Sequence, residues 1–474
     1  MAENNTLEKR IKAGRALRVN VPRSSHGDVG NVTKRDPISL LEESSAGRVK
    51  RLVPLRYGRM LVSPFAFYRG SAIIQAHDLA TTPHTGLVQP ICGDAHLMNF
   101  GGFATPERNF VFDINDFDEA HPGPWEWDVK RLAASFVVGA RHLGFEPAAT
   151  DELVFNAIEN YRIRMTDLAS MGELDLWYEK MTFDYMLQNA KYEEGRKGIA
   201  KAIEKAQSRT QGSLLRKMAE KINGKWIMHD APPDLFHIQG RSTLFEADED
   251  WAQLDLQAAL SNMLKNYLTT LSPSHRELLG RFQVQDVAFK VVGVGSVGTR
   301  CLALLMTDIH DQPLFLQVKQ AVPSVLARYV PVGKSPFKHE GQRVVFGQRM
   351  MQSASDMFLG WNGGSGATVR HFHIRQLRDM KFSAEVETLS ELTFGRYAWL
   401  CCDILARAHA RAGGLAPEIS GYLGKSGQFA EALVSYANSY ADQVERDFQA
   451  FRDACRSGRL AAQTEADFGA DLHM

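Results

Sequence analysis

The spacing of apolar residues changes twice along this chain, and each change restricts the possible folds. Between positions 99 and 116, FGGFA and FVFDI flank the Pro-containing turn TPERN, which predicts a β-hairpin. After Pro124 the apolar spacing becomes that of a helix, and helical patterns continue to about position 272. Short β-rich runs broken by glycine begin near position 284. This order predicts an α+β fold with a mostly helical part and a smaller β-rich part.

Length and composition limit the class of protein. A chain of 474 residues is too long for one core and should form two or three domains or lobes. Lys+Arg and Asp+Glu both number 55, so no net charge favours nucleic acid, and no such partner is expected. The first residues lack the apolar stretch of a signal peptide, and no segment is long enough to span a bilayer. The five cysteines form no CxxC pair, which favours reduced thiols in the cytoplasm.

Several further segments carry local signals. The polar residues 1–45, including PRSSHGDVGN, are interpreted as a loop or arm, and RYGRMLVSPFAFYRG as a strand followed by a turn. A helix is predicted at about 340–352, and the alternation in HFHIRQLRDMKF predicts a strand. Apolar residues repeat at helical spacing from Phe394 to Ala412, and Gly413-Gly414 predicts the end of that helix.

Acidic residues interrupt two apolar segments, ICGDAHLMNF and NFVFDINDFDE. An unpaired carboxylate in a core is costly, so these acids should bind a cation or accept strong hydrogen bonds. Asp94 and Asn99 are five positions apart, the spacing of the Asp and Asn in a kinase catalytic loop. There the Asp accepts the proton of the substrate hydroxyl and the Asn holds Mg²⁺. Asp116, at the end of the predicted hairpin, could be a second magnesium ligand.

The glycine motif Gly293-Val-Gly295-Ser296-Val-Gly298 has two physical meanings. In a dinucleotide-binding unit it would open a helix, but here TRCLALLM runs only to the turn DIHDQP, which favours a strand. The alternative is a hairpin over nucleotide phosphates, followed by a strand that bears a phosphate-binding lysine. Lys319 in LFLQVKQA is at the position of this phosphate-binding lysine. A glycine motif of this kind can also be a flexible hairpin without a ligand. Glu340 could orient this lysine, or could simply be an acid favoured at a helix N-terminus.

These motifs resemble a known family. CGDAHLMNF followed by INDFDEA is similar to the HGDxHxxN and IDFDDA pair of the aminoglycoside and choline phosphotransferase branch of the protein-kinase-like superfamily. The resemblance implies Asp94 as base or orienting acid. It also implies Asn99 and Asp116 as metal ligands, because Asp-Phe-Asp aligns with the family's metal-binding turn; Asp113 and Asp118 stay open as alternatives. GPWEWDVKRLA looks like the family's GxPxxDLA segment, which implies that Asp128 braces the catalytic loop. The family's His before Gly-Asp is Cys92 here.

The order of the motifs differs from that family, because the glycine loop and Lys319 follow the catalytic loop. A circular permutation would explain this order. The resulting two-lobed kinase-like fold would have an arm (1–45), a helical lobe with the catalytic loop (46–280), a β-rich nucleotide lobe (281–385) and C-terminal helices that pack back on the helical lobe (386–474). The full chain also resembles an uncharacterised bacterial family, domain of unknown function 2252, through RYGRMLVSPFAFYRG, GDAHLMNFG, NDFDEA and ARAHARAGG.

The function expected from these motifs is that of an ATP- and Mg²⁺-dependent phosphotransferase that acts on an unknown hydroxylated small molecule or protein. Arg69 could reach a phosphate or form a structural salt bridge. His96 could contact the metal-binding acids or phosphate, or be satisfied by a neighbouring backbone carbonyl. Nucleotidyl (AMP) transfer from an inverted ATP and a non-catalytic nucleotide-binding pseudokinase are alternatives. A metallophosphoesterase is a weaker alternative, since the chain lacks the Asn-His step that such sites need. The sequence does not indicate the oligomeric state.

Overall fold

The computed structural model describes residues 6–190, 192–240, 245, 255–330, 336–362, 370–377 and 380–471. It shows an α+β protein with antiparallel sheets. The helices are α1 (Leu7–Ala16), α2 (Pro37–Ser45), α3 (Val53–Met60), α4 (Pro64–Gly70), α5 (Ala72–Leu79), α6 (Trp125–Leu143), α7 (Pro147–Ala169), α8 (Glu173–Tyr178), α9 (Phe183–Asn189), α10 (Glu193–Gln207), α11 (Gln211–Met218), α12 (Leu256–Leu268), α13 (Pro273–Leu279), α14 (Glu340–Met351), α15 (Glu391–Gly413), α16 (Ala416–Leu423), α17 (Gln428–Arg456) and α18 (Glu465–Asp471).

The strands are β1 (Val88–Ile91), β2 (Phe100–Ala104), β3 (Phe110–Ile114), β4 (His121–Pro124), β5 (Met181–Thr182), β6 (Ala219–Ile222), β7 (Lys225–Met228), β8 (Leu235–Phe236), β9 (Gln283–Lys290), β10 (Cys301–Thr307), β11 (Pro313–Ala321), β12 (Gly360–Trp361), β13 (His371–Gln376) and β14 (Phe382–Ser383). They form a six-stranded sheet in the order β12-β13-β11-β10-β9-β8, a four-stranded sheet in the order β14-β2-β3-β5, and the pairs β1-β4 and β6-β7.

The six-stranded sheet is covered on both faces. Every residue of β10 is buried, and its side chains alternate between two hydrophobic clusters. Leu302, Leu304 and Met306 face the cluster that includes residues of α12 and α13, whereas Ala303 and Leu305 face the cluster with α11 and β7. Burial on both faces explains why CLALLM reads as one apolar run without polar alternation.

The largest core is helical and is built around α6, α7, α15 and α17. Residues 125–140 of α6 are all buried, so this helix lies at the centre of the core. It begins after Pro124 and ends at Gly144, whose φ of 74° is the left-handed conformation that glycine adopts at helix ends. The helix predicted from Phe394 to Ala412 is confirmed as α15, which ends before Gly414 with φ of 59°.

The predicted hairpin is confirmed as β2 and β3, with Phe100 opposite Ile114. The helix predicted at about 340–352 is confirmed as α14, and the strand in HFHIRQ as β13. Within the segment predicted to be helical, residues 219–236 differ, because they form the short strands β6, β7 and β8. All five cysteines are free thiols. No helix in the described ranges is both long and apolar enough to cross a membrane.

The strand predicted in RYGRMLVSPFAFYRG is wrong, because this segment forms parts of α3 and α4. The side chain of Ser63 caps α4 by accepting the N–H of Ala66, and Pro64 occupies its first turn. Pro54 likewise lies in the first turn of α3. Serine at the N-cap and proline in the first turn favour the start of a helix. Here these residues mark helix starts, although the same residue types also occur in the turns between strands.

The N-terminal segment packs on the C-terminal helices. Arg10 in α1 donates to Glu418 at 2.6 Å, and a Cβ on Gly14 would lie 1.9 Å from the carbonyl oxygen of Glu418. Part of the predicted loop PRSSHGDVGN is a short 3₁₀ helix, Arg23–Gly27, in which His26 is buried and bonds to the Tyr422 hydroxyl at 2.7 Å. The described residues before position 45 are therefore attached to the helical core.

Candidate functional site

A cleft with about 1000 Å³ of empty space, including open solvent at its mouth, collects most of the predicted site residues. Those that line it are Arg69, Asp94, His96, Asn99, Asp116, Asp118, Gly293, Gly295 and Ser296. Lys319 reaches the cleft through its ion pair with Asp118, while Asp128 lies beneath the loop that carries Asp94. The fold thus brings the acidic motif and the glycine loop together, although they are far apart in sequence.

The loop of residues 92–99 is held by groups from two helices. The Asp128 carboxylate accepts the backbone N–H groups of Cys92 and Gly93, both at 2.8 Å, and lies 3.2 Å from Nε2 of His409 in α15. Gly93 has a φ of 80°, and a Cβ there would lie 2.4 Å from the carbonyl oxygen of Glu119. Asp128 therefore lies where the resemblance implies, and Gly93 allows the loop to approach the acidic motif closely.

Asp94 is oriented by an arginine that sequence reasoning did not single out. Arg131 donates from Nε to Oδ1 of Asp94 at 2.8 Å, and its other nitrogens donate to the Gln75 side chain and the Tyr68 carbonyl. Burial raises the pKa of Asp94, although the Arg131 charge opposes that shift. The result is a carboxylate fixed in one orientation, with a side chain that remains 20% exposed to the cleft.

Asn99 and Asp116 offer oxygen atoms suited to a hard cation. The Asn99 amide nitrogen donates to the Asp94 carbonyl at 2.7 Å, which leaves its oxygen as the atom available for a ligand. The backbone of Asn115 donates to the Asn99 carbonyl at 2.8 Å, so the hairpin holds Asp116 beside Asn99. The described residues contain no group of three or more His, Cys, Asp and Glu side chains that could hold a metal. Mg²⁺ would need phosphate and water oxygens beside Asn99 and Asp116.

Lys319 and Glu340 do not form the expected pair. Lys319 on β11 makes an ion pair with Asp118 and lies 3.9 Å from Asp116, whereas Glu340 accepts from Arg343 Nε at 2.5 Å. Burial would lower the pKa of Lys319, but the charges of Asp116 and Asp118 outweigh it and raise the pKa. The structure therefore corrects the predicted role of Glu340, because its partner is its own helical neighbour three residues along α14.

Asp113 is separated from the cleft. It is fully buried and pairs with Arg407, while its second oxygen accepts the Ser353 N–H at 2.8 Å and the Ser353 hydroxyl at 2.6 Å. Of the three carboxylates that sequence left open as metal ligands, only Asp116 and Asp118 line the cleft.

The glycine loop joins two antiparallel strands, β9 and β10, and does not open a helix. This confirms the hairpin interpretation and excludes the dinucleotide-binding arrangement at this loop. Within the described chain, the backbone N–H groups of Val294, Gly295 and Ser296 donate no hydrogen bond to protein. Gly298 has a φ of 86° and lies against Arg48, outside the cleft lining. The open N–H groups are donors of the kind that hold phosphate oxygens.

His96 is buried and accepts the Met98 N–H at its Nδ1 atom, 3.2 Å away. Its proton therefore lies on Nε2, 3.8 Å from Asp94, and the backbone partner is an N–H and not the expected carbonyl. Burial, reinforced by Arg131 and Arg69, lowers the pKa of His96 well below its ordinary value. A neutral imidazole next to Asp94 supports the loop and adds no charge to the cleft.

A family model described as "Uncharacterized protein conserved in bacteria (DUF2252)" matches residues 48–454. The chain belongs to the DUF2252 family. No curated protein and no solved structure gives a significant match to the chain. The expected membership of this bacterial family is thereby confirmed.

The site of this DUF2252 protein also contains residues that sequence reasoning missed. They are Arg48, Arg56, Glu119, Arg131, His373 and His409. His373 lies opposite Lys319 on the next strand, with Nε2 3.9 Å from Asp118. Arg131 had one local signal, since it is one of four charged residues, with Glu126, Asp128 and Lys130, in the buried first turns of α6. The other contacts depend on tertiary structure alone.

Proposed function

We propose that this DUF2252 protein is an ATP- and Mg²⁺-dependent phosphotransferase of kinase-like fold, with its two lobes in circularly permuted order. The observation that carries the proposal is the contact of Lys319 with Asp118 and its approach to Asp116. These side chains come from β11 and from the loop after β3, and they meet beside a glycine loop with open N–H groups. Kinases place a lysine, metal-binding acid and glycine loop together around nucleotide phosphates.

Each group has a role that follows from its position. The N–H groups of the glycine loop and the Lys319 ammonium would hold the phosphates of ATP. Asn99 and Asp116 would hold Mg²⁺, which neutralises charge on the transferred group. Asp94, oriented by Arg131, would accept the proton of the acceptor hydroxyl while the hydroxyl oxygen forms a bond to the γ-phosphorus of ATP. The bond from that phosphorus to the bridging oxygen then breaks, and ADP leaves with the electron pair.

The order of elements supports the permutation. The cleft lies between the helical core and the six-stranded sheet, which have separate hydrophobic clusters. The sheet carries the glycine loop between β9 and β10, then Lys319 on β11, then α14, in the order of a kinase nucleotide lobe. The loop with Asp94 precedes all of these, and α15 reaches under it through His409. Since this lobe already continues into α15, joining the C-terminal end of the chain to the segment before the Asp94 loop would restore the ordinary order.

Adenylyl transfer and nucleotide binding without transfer would use the same residues as phosphoryl transfer. Identification of the reaction product distinguishes the three. A metallophosphoesterase would need further His and Asp ligands, and the described residues contain no cluster of three or more His, Cys, Asp and Glu side chains that could hold a metal.

Calorimetric titration with MgATP tests the proposal. Lys319→Ala and Asp116→Asn should each weaken binding about tenfold or more, because each removes a charged contact to the phosphate–metal complex. Lys221→Ala and Asp311→Asn are matched controls, since this 2.6 Å ion pair is exposed and remote from the cleft lining. They should leave the affinity unchanged.

Asp94→Asn should retain MgATP binding and reduce transfer about 10²- to 10⁴-fold, the usual contribution of a general base. The mass of the product distinguishes phosphoryl from adenylyl transfer. No binding of ATP or other nucleotides to wild type, or equal loss in the Lys221 and Lys319 variants, would reject the proposed function.

A further inference from the structure

One wall of the cleft is formed by three arginines, Arg48, Arg56 and Arg69. None of them makes an ion pair with a carboxylate in the described part of the chain. Burial lowers the pKa of Arg56 to about 9 and that of Arg48 to about 10, because desolvation of their charges is not offset by a close anion. Buried guanidinium groups without anions are costly for the free protein, which is typical of a surface built to receive a negative ligand.

The three side chains are fixed to different degrees. Arg48 donates to the carbonyl groups of Ser44 and Val297, and Arg56 donates to the Gly70 carbonyl at 2.8 Å. The side chain of Arg69 donates no hydrogen bond within the described residues; its guanidinium lies 5.9 Å from the Phe65 ring centroid, and its Nε is buried without a partner. Arg69 is thus the member most available to bind an anion directly, while Arg48 and Arg56 supply a positive field around it.

Arg69 lies at the junction of the glycine loop and Asp94. Its backbone carbonyl is 3.1 Å from the position that a Cβ of Gly295 would take. The preceding residue, Tyr68, accepts from the same Arg131 side chain that orients Asp94. Arg69 therefore lines the cleft between the glycine loop and the loop that carries Asp94.

The cleft carboxylates do not neutralise this wall. Asp94 pairs with Arg131, Asp118 pairs with Lys319, and Glu119 accepts the Val325 N–H at 2.7 Å. The nucleotide phosphates already have Lys319, the open N–H groups of the glycine loop and the metal as partners. None of these proposed phosphate contacts uses Arg48, Arg56 or Arg69.

We infer that the acceptor is itself an anion, with a phosphate or carboxylate group that binds Arg69 in the field of Arg48 and Arg56 while its hydroxyl faces Asp94. This inference rests on the proposed function for the position of the nucleotide. Guanidinium groups bind both anions through paired N–H donors, so the two sources share one recognition chemistry.

Calorimetry on protein saturated with Mg²⁺ and a non-hydrolysable ATP analogue tests the inference, with inorganic phosphate and acetate as separate probes. At least one probe should bind in the presence of the analogue. Arg69→Gln should weaken that binding about tenfold or more, while changing the affinity for the ATP analogue by less than about twofold. Arg48→Gln should give a smaller loss of the same kind and provides the test if Arg69→Gln does not fold. Arg141→Gln, an arginine on the outer surface paired with Asp442 and Glu445, is the matched control.

Three results would overturn the inference. Competition between the probe and the ATP analogue would assign the arginines to the nucleotide, as would equal losses of probe and analogue affinity in Arg69→Gln. Failure of both probes to bind would show that the wall does not recognise a simple anion. If wild type binds neither ATP nor its analogue, the proposed function fails separately. Probe binding to the free protein then decides only whether the wall binds anions.

Discussion

Single residues in the cleft differ because of what surrounds them, and Glu119 shows this most clearly. Its carboxylate lines the cleft next to Asp118 and, among the described residues, accepts one backbone N–H, from Val325. Burial raises the pKa of Glu119 to about 7, against the opposing charge of Arg343. Folding therefore favours the protonated form of Glu119 relative to the unfolded chain.

This shift predicts a pH-dependent gain from Glu119→Gln. The stability contributed by a raised carboxyl pKa is complete below about pH 4.5 and is lost as pH rises through about 7. The variant should match wild type near pH 5 and be more stable at pH 8 by about 1–3 kcal/mol, since the side chain is partly exposed. Urea unfolding at both pH values measures the difference. Glu204→Gln on the exposed face of α10 should show no such pH dependence, and an equal difference at both pH values for Glu119→Gln would contradict the assignment.

At the level of elements, the sequence predicted the long periodic helices but neither the short helices nor the places where helices pack across one another. The apolar repeats that predicted α6 and α15 are visible in the sequence because each helix has an apolar face that continues over many turns. The RYGRMLVSPFAFYRG segment was misread because α3 and α4 are only 8 and 7 residues long, too short for a clear period. No local pattern predicted the packing of α1, because the small residue Gly14 matters only through its close contact with α16.

The crossing of α1 and α16 gives a prediction. Gly14 meets the Glu418 carbonyl, and Gly421 meets the Ile11 carbonyl, at distances that leave no space for a Cβ. Gly14→Ala should therefore destabilise the protein by about 1–3 kcal/mol through overpacking, although alanine favours an isolated helix. Faster trypsin cleavage at Lys12 and Arg15 should accompany the loss.

Gly198→Ala in α10 is the matched control, because nothing lies within 4 Å of its Cβ position. Helix propensity should make this variant equal to wild type or more stable by up to about 1 kcal/mol. If Gly14→Ala behaved like Gly198→Ala, the close contact of α1 with α16 would not exist in solution.

Across the whole molecule, local motifs identified the parts of the candidate site but not their partners. Asp94, Asn99 and Asp116 could be selected because a short loop and hairpin set their spacing. Lys319 was found from strand context, yet its pairing with Asp118 depends on how the six-stranded sheet packs on the hairpin. Glu340 was assigned to Lys319 by analogy, and Arg343 three residues away was the closer partner. Pairings over long sequence distances follow from the packed structure and not from local pattern.

Asp113 tests the difference between an acid that holds the molecule together and one that serves the cleft. It joins β3, the residue Ser353 beyond α14, and Arg407 of α15, and both charged side chains are buried. Asp113→Asn leaves the Arg407 charge without its partner and should lower the free energy of unfolding by about 3–5 kcal/mol. The Mg²⁺ dependence of ATP binding should persist in the folded fraction.

Asp116→Asn should show the opposite behaviour, with a change in stability of about 1 kcal/mol or less and loss of Mg²⁺-dependent binding, because its side chain is 35% exposed. Asp442→Asn, which removes an exposed partner of Arg141, should change neither property. Denaturant unfolding and calorimetry on the three variants separate the two roles. Loss of Mg²⁺ dependence in Asp113→Asn with unchanged stability would place the metal ligand at Asp113 within β3 and not at Asp116 in the loop that follows this strand.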